Sequence, residues 1–297
     1  MFGPLLIAYL FLGGTAGGGY LVMCLWSLFF RRAATAGRFT LRQMQSFDAL
    51  QVRAHVLFFV ILVMSVICLW WDLGRPTRAL LIMVTLRPTI LTFGFFVLSI
   101  ELVLGALLMM GSAFGLGVMQ GKLKTVVEIL CCITSIATVT YTGIFLFQGA
   151  SVYFWDSWSL VFLFFFSSLS NGLSLLLLVD YFTGQAVYIN ASRFLQIAHL
   201  ICLVAELITL VIFALINLNN PAAYASCMAL MSKEMLPNVV VGVGLFGIII
   251  PMAMEMYSLI FKECRAVPVS DVLCLCGGCI LRYCIIVGGL SQFGVVG

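Results

Sequence analysis

Residues 4–30 read PLLIAYLFLGGTAGGGYLVMCLWSLFF, a stretch with no charged side chain. Wound as an α-helix, such a run is longer than the ~30 Å hydrocarbon core of a bilayer. A soluble helix of that length would show a polar stripe; this one has none. The rest of the chain repeats the pattern. Apolar runs recur at about 54–71, 90–112, 125–148, 158–182, 195–216, 238–261 and 272–290, giving eight spans. Charged residues are only 9% of the chain, hydrophobic residues 63%, and mean hydropathy is +1.19. A soluble domain of this size carries far more surface charge. The reading is an all-α integral membrane protein, a single polytopic domain over 1–297. The first stretch has no basic leader and no small-residue cleavage site, so it reads as a retained span.

Basic residues set the expected orientation. The first, third, fifth and seventh connections hold Arg31, Arg32, Arg38, Arg42, Arg53, Lys122, Lys124, Arg193, Lys262 and Arg265. The second, fourth and sixth hold only Arg75, Arg78, Arg87 and Lys233. The richer set belongs in the cytoplasm, which puts both termini on the outer side. The basic residues lie in short loops, so a net charge of +4 gives no reason to expect nucleic acid.

Ionisable groups inside spans cost about 2.5–3.5 kcal/mol each at mid-depth. Glu101, Glu128, His199, Glu206, Glu255 and Arg282 all fall there. His199 and Glu206 are seven apart, which places them within about 20° of one helix face. Glu128, His199 and Glu255 fall toward the cytoplasmic ends, and Glu101, Glu206 and Arg282 near the middle. Tyr141 falls about 10 Å from the outer face. Two readings stay open. Arg282 could pair structurally with Glu206 or Glu255, or the set could form a proton path. One arginine cannot pair with every acid, and unpaired buried carboxyls suit proton relay.

Gly13, Gly14, Gly17, Gly18 and Gly19 make overlapping GxxxG spacings around Thr15. They fit close helix packing and equally a flat ligand laid against bare backbone. After span 2, Trp70-Trp71-Asp72-Leu73-Gly74-Arg75-Pro76-Thr77-Arg78 marks an interface and a stiff turn. The cysteines, Cys274, Cys276 and Cys279 among them, fall mostly in apolar runs, so they read as packing residues. Two histidines, His55 and His199, argue against a haem-rich subunit. No nucleotide loop, metalloprotease helix or serine-hydrolase elbow is present.

PLLIAYLFLGGTAGGGY, the loop DLGRPTRAL with Leu86-Arg87-Pro88, YTGIFL at 141–146 and GGCILRYCIIVGG in the last span together resemble the NrfD/polysulfide reductase membrane-subunit family. Dimethyl sulfoxide reductase anchor subunits are related. The resemblance covers nearly the whole chain, in order. It implies eight helices as two four-helix bundles in a bacterial or archaeal cytoplasmic (inner) membrane. It implies a quinol-binding subunit, menaquinol above all, of a respiratory oxidoreductase, with no haem or metal of its own. The implied partners are a four-cluster iron–sulfur subunit and a molybdopterin or other redox catalytic subunit. Tyr141 matches the tyrosine near the quinone head group. Gly14, Thr15, Gly17 and Asp72 join it as candidates, with Tyr9 and Tyr20 the other polar groups of span 1. Asp72, Arg75 and Arg78 are the expected partner interface, and Arg282 matches an arginine of the last helix. Proton translocation is a second expectation. A secondary transporter with a helix broken at Pro251 and a structural anchor without quinone are the alternatives.

Overall fold

The computed structural model describes residues 3–35, 40–72, 89–115, 121–148, 152–183, 189–261 and 268–291. Its elements are helical: α1 (Pro4–Thr35), α2 (Leu41–Asp72), α3 (Ile90–Ala113), α4 (Lys122–Phe147), α5 (Trp158–Thr183) and α6 (Ile189–Asn219). A short α7 (Pro221–Leu230) follows, then α8 (Asn238–Phe261) and α9 (Pro268–Leu290). Eight of the nine are long and apolar enough to cross a membrane; α7 is the exception.

Helix boundaries follow local chemistry. Thr40 and Gln43 form a capping box at the start of α2: the Thr40 amide donates to Gln43 Oε1 at 2.9 Å, and the Gln43 amide donates to Thr40 Oγ1 at 3.4 Å. That box explains a difference from the sequence reading. The interval 31–53 reads as a long connection, yet most of it is helix, because α1 continues to Thr35 and α2 begins at Leu41. Both helices extend beyond their apolar runs on polar residues that water can solvate. Thr89 caps α3 by accepting from the Thr92 amide. Asn220 caps α7, with Pro221 in the first turn where a missing amide costs nothing.

Pro251 does not break its span. The backbone of α8 winds with wide i→i+5 bonding from Asn238 to Ile249, and the Ile250 amide bonds Leu245 O. From Ile250 it continues as ordinary α-helix to Phe261. Pro251 offers no amide to the carbonyl of residue 247 and crowds it. The wider turn before it relieves that clash.

Among the first four spans, α1 packs on α2, α2 on α3, α3 on α4 and α4 on α1. Among the last four, α5 packs on α6, α6 on α8, α8 on α9 and α9 on α5. The two groups meet mainly through α1 and α5. This is the pairing that two adjoining four-helix bundles would give. Glycine makes the α1–α5 crossing close: a Cβ on Gly172 would stand 2.5 Å from the Gly18 carbonyl carbon, and one on Gly18 would stand 2.7 Å from that of Ser168. Apolar side chains such as Val103, Ile133, Phe162 and Ile201 face outward, as lipid requires. The polar groups lie inside.

Candidate functional site

In the first four spans, Tyr141 of α4 is buried and lies flat across Gly94 of α3, where a Cβ would strike the phenol ring. Phe93 and Phe145 tilt against it, with ring centroids at 6.5 and 6.0 Å. The hydroxyl of Tyr9 on α1 lies beside that of Tyr141. Tyr9 Oη is buried and has no hydrogen-bond partner of normal geometry. Such an orphan group invites an acceptor, because burying an unpaired hydroxyl costs about 1–3 kcal/mol. The Asp72 carboxylate, at the end of α2, lies against Gly3 at the start of α1: a Cβ on Gly3 would be 3.0 Å from Asp72 Oδ1. Asp72 and the first turns of α1 therefore share one end of the molecule with Tyr9. Arg75 and Arg78 lie outside the described residues.

Deeper in the same group, Glu101 is fully buried and accepts from Ser135 Oγ at 2.8 Å and from Thr138 Oγ1. Among the described residues no cation pairs with it. Glu128 is different. Arg31 forms an ion pair with it, and Ser27 Oγ and Gln51 Nε2 donate to its Oε1 at 2.9 and 3.3 Å. Lys124 Nζ in turn donates to Gln51 Oε1 at 2.9 Å. This network closes the end of the first group opposite Asp72.

The glycines of α1 meet other helices. A Cβ on Gly14 would lie 3.0 Å from a guanidinium nitrogen of Arg282, and one on Gly17 would lie 3.1 Å from Val139 and 3.6 Å from Glu101 Oε1. Thr15 is buried and donates to Phe11 O at 2.8 Å within its own helix. Gly14, Gly17 and Thr15 thus stand deeper than the Tyr9–Tyr141 pair, and the glycines' bare faces receive neighbouring side chains.

In the last four spans the polar groups run together. Arg282 of α9 is fully buried. Its Nη1 donates to Ser167 Oγ at 3.2 Å and Gly278 O at 2.9 Å, its Nη2 to Ser168 Oγ at 2.9 Å, and its Nε across the group boundary to Leu10 O at 3.2 Å. The guanidinium also lies over the rings of Phe11 and Phe164, at 5.7 and 5.4 Å. No carboxylate contacts it directly among the described residues. Glu206 of α6 accepts from Ser170 Oγ at 2.6 Å. His199, two turns earlier on the same face of α6, has Nε2 2.9 Å from Ser174 Oγ and Nδ1 against Glu255 of α8. Arg282 is thus held by hydroxyls and carbonyls, and Glu255 is partnered by the imidazole.

Ser167, Ser170, Asn171 and Ser174 follow i, i+3, i+4, i+7 on α5, so they line one face. All four are buried, and both polar atoms of the Asn171 amide lack partners. The sequence reading passed over this seam, although the spacing in SSLSNGLS carries it. It also passed over Asp271, Ser135 and Thr138. His55 belongs elsewhere: its Nδ1 meets Ser112 at 3.3 Å, and its ring stacks on Tyr20 in the first group.

The chain was compared with known proteins. No curated protein matches it. The family model described as polysulphide reductase, NrfD, matches residues 1–294.

Proposed function

Because this chain belongs to the polysulphide reductase NrfD family, membrane subunits of quinone-linked oxidoreductase complexes, we propose that it binds a menaquinol-type head group beside Tyr141. The observation that carries this reading is the buried pair of Tyr9 and Tyr141 hydroxyls, side by side, with no partner for Tyr9 beyond Tyr141 among the described residues. Two phenols at the end of the helix group that also carries Asp72 can donate to a quinone oxygen. The flat rings of Phe93 and Phe145 offer apolar walls for a head group. Gly94 leaves the space that keeps the Tyr141 ring in place, and the glycine face of α1 lets the helices close behind it. A bound quinol supplies two electrons and two protons. The chain's own residues position it, exclude water and hold the protons.

Asp72, with Arg75 and Arg78 beyond it, faces an iron–sulfur subunit of the four-cluster type. That subunit carries electrons to or from a molybdopterin or other redox partner. The charge asymmetry of the connections supports placing this end, and both termini, outside a bacterial or archaeal cytoplasmic membrane.

The test is Tyr141→Phe in the intact complex. We expect quinol-linked turnover to fall about tenfold, the worth of roughly one hydrogen bond near 1.4 kcal/mol, with weaker binding of a quinone-site inhibitor. Unchanged turnover and inhibitor binding would remove Tyr141 from the site.

A second reading concerns protons. The run His199–Ser174, Ser170–Glu206 and Ser167–Arg282, with Glu255 at its inner end, supports a path through the last four spans. Arg282 links it to α1 through Leu10 O, one residue from Tyr9. Glu101 stands on the first-group side of that path, nearer the quinol, and Glu128, locked to Arg31, Ser27 and Gln51, stands off it. The unbroken course of α8 past Pro251 favours this reading over a transporter with a broken helix.

A further inference from the structure

Asp271 has no part in the readings above. It is the fourth residue of α9, and its carboxylate lies beside His199 and Glu255. One ligand atom from each of the three falls within 4.8 Å of the others. Three separate helices, α6, α8 and α9, deliver them, so folding assembles the cluster and no run of sequence announces it. The exposures of His199, Glu255 and Asp271 are 0%, 3% and 1%. Glu255 Oε2 and Asp271 Oδ1 are buried oxygens with no hydrogen-bond partner.

One imidazole cannot offer a donor to every oxygen here. Its Nδ1 meets Glu255 Oε1, while its Nε2 is engaged by Ser174 Oγ at 2.9 Å, with Cys274 Sγ 3.6 Å away. A protonated imidazole would balance one carboxylate; the second, buried beside it with an unpartnered oxygen, still calls for a proton or a cation. We propose that His199, Glu255 and Asp271 form a binding site for one divalent first-row transition ion. The donor set is one nitrogen and two carboxylates, which suits ions such as Mn2+ or Zn2+; Ca2+ and Mg2+ favour all-oxygen shells. Bonds of about 2.0–2.2 Å require that the direct His199–Glu255 contact open to admit the ion and that Asp271 draw inward. The Nε2–Ser174 contact is the outer hydrogen bond that commonly orients a ligating imidazole. Three protein ligands leave a coordination position open for water. The site lies near the inner ends of α8 and α9, and it departs from the metal-free expectation drawn from the sequence. It is independent of the quinol reading, but it shares His199 and Glu255 with the proton reading, so a bound ion would block that path.

The full chain, purified in detergent and stripped with a chelator, is titrated with Mn2+ while the free ion is followed by electron paramagnetic resonance. One saturable Mn2+ per chain is expected, displaced by Zn2+. The bound ion should show nitrogen hyperfine coupling from a single imidazole. Asp271→Asn, nearly isosteric, should weaken binding more than about 100-fold, the upper end of what losing an outer-sphere partner costs. Glu128→Gln, a buried acid outside the cluster, should bind as the wild type does. Absence of a saturable site, absence of nitrogen coupling in the wild type, or undiminished affinity in a folded Asp271→Asn protein would each overturn the assignment.

Discussion

Among the described residues the first four spans bury two carboxylates, Glu101 and Glu128, whereas the last four bury Glu206, Glu255, Asp271 and Arg282, and the two groups arrange their polar residues differently. In the first group the polar residues form separate islands. Tyr9 and Tyr141 sit toward one end, Glu101 is held by Ser135 and Thr138, and Glu128 is locked to Arg31, Ser27 and Gln51 at the other end. In the last group Ser167, Ser170, Asn171 and Ser174 line one face of α5, so its polar residues run from Arg282 to His199, Glu255 and Asp271. Islands hold a ligand or close a helix end. A seam of hydroxyls and amides can pass a proton or order water. Similar helix pairings therefore support different physical tasks, and Arg282 joins them by bonding across to Leu10 O.

Arg282→Met should do the most damage to this contrast. It strips donors from Ser167, Ser168, Gly278 O and Leu10 O together, and breaking a comparable buried charged network costs about 3–5 kcal/mol. Thermal unfolding of the purified complex should show a large drop. Arg282→Lys should recover only part of it, because an ammonium cannot reproduce the forked contacts. Next in size is a paired experiment. Glu206→Gln should abolish proton movement in sealed vesicles while leaving electron transfer intact, whereas Glu128→Gln should lower stability and leave proton movement in place. Equal proton defects in the two variants would erase the proposed division between seam and island. Gly94→Ala forces a methyl into the Tyr141 ring. It should cost about 1–3 kcal/mol and depress quinol turnover without changing proton conduction by the last four spans. Ser170→Ala should be mildest, about 1 kcal/mol, and should slow proton movement while quinol turnover stays unchanged.

The eight spans were legible because apolar runs of this length have few alternatives outside a bilayer. Their ends were less so: Thr40 and Gln43 cap α2 far before its apolar run begins, and a hydropathy window does not register a capping box. Family resemblance singled out Tyr141 and Arg282, and their surroundings required the fold. Nothing in the linear order says that Gly94 makes room for Tyr141, or that Tyr9 turns its hydroxyl toward it. His199 and Glu206 were expected on one helix face, and both reach α5, at Ser174 and Ser170. The serines themselves escaped notice because each alone is an unremarkable small residue in a membrane helix. Asp271 escaped because it sits near a helix start, where an acid usually needs no further explanation.

The guanidinium of Arg282 rests where a side chain at position 14 would project, 3.0 Å from the place a Cβ would take. Positions 14 and 282 lie at opposite ends of the chain but share one volume. Descendants of this sequence are therefore not free to drift at either position alone. A Cβ at 14 would also stand 2.5 Å from Ser168 Oγ, so a larger residue at 14 would be viable only alongside smaller ones at both 168 and 282, and mutational libraries should recover such changes together.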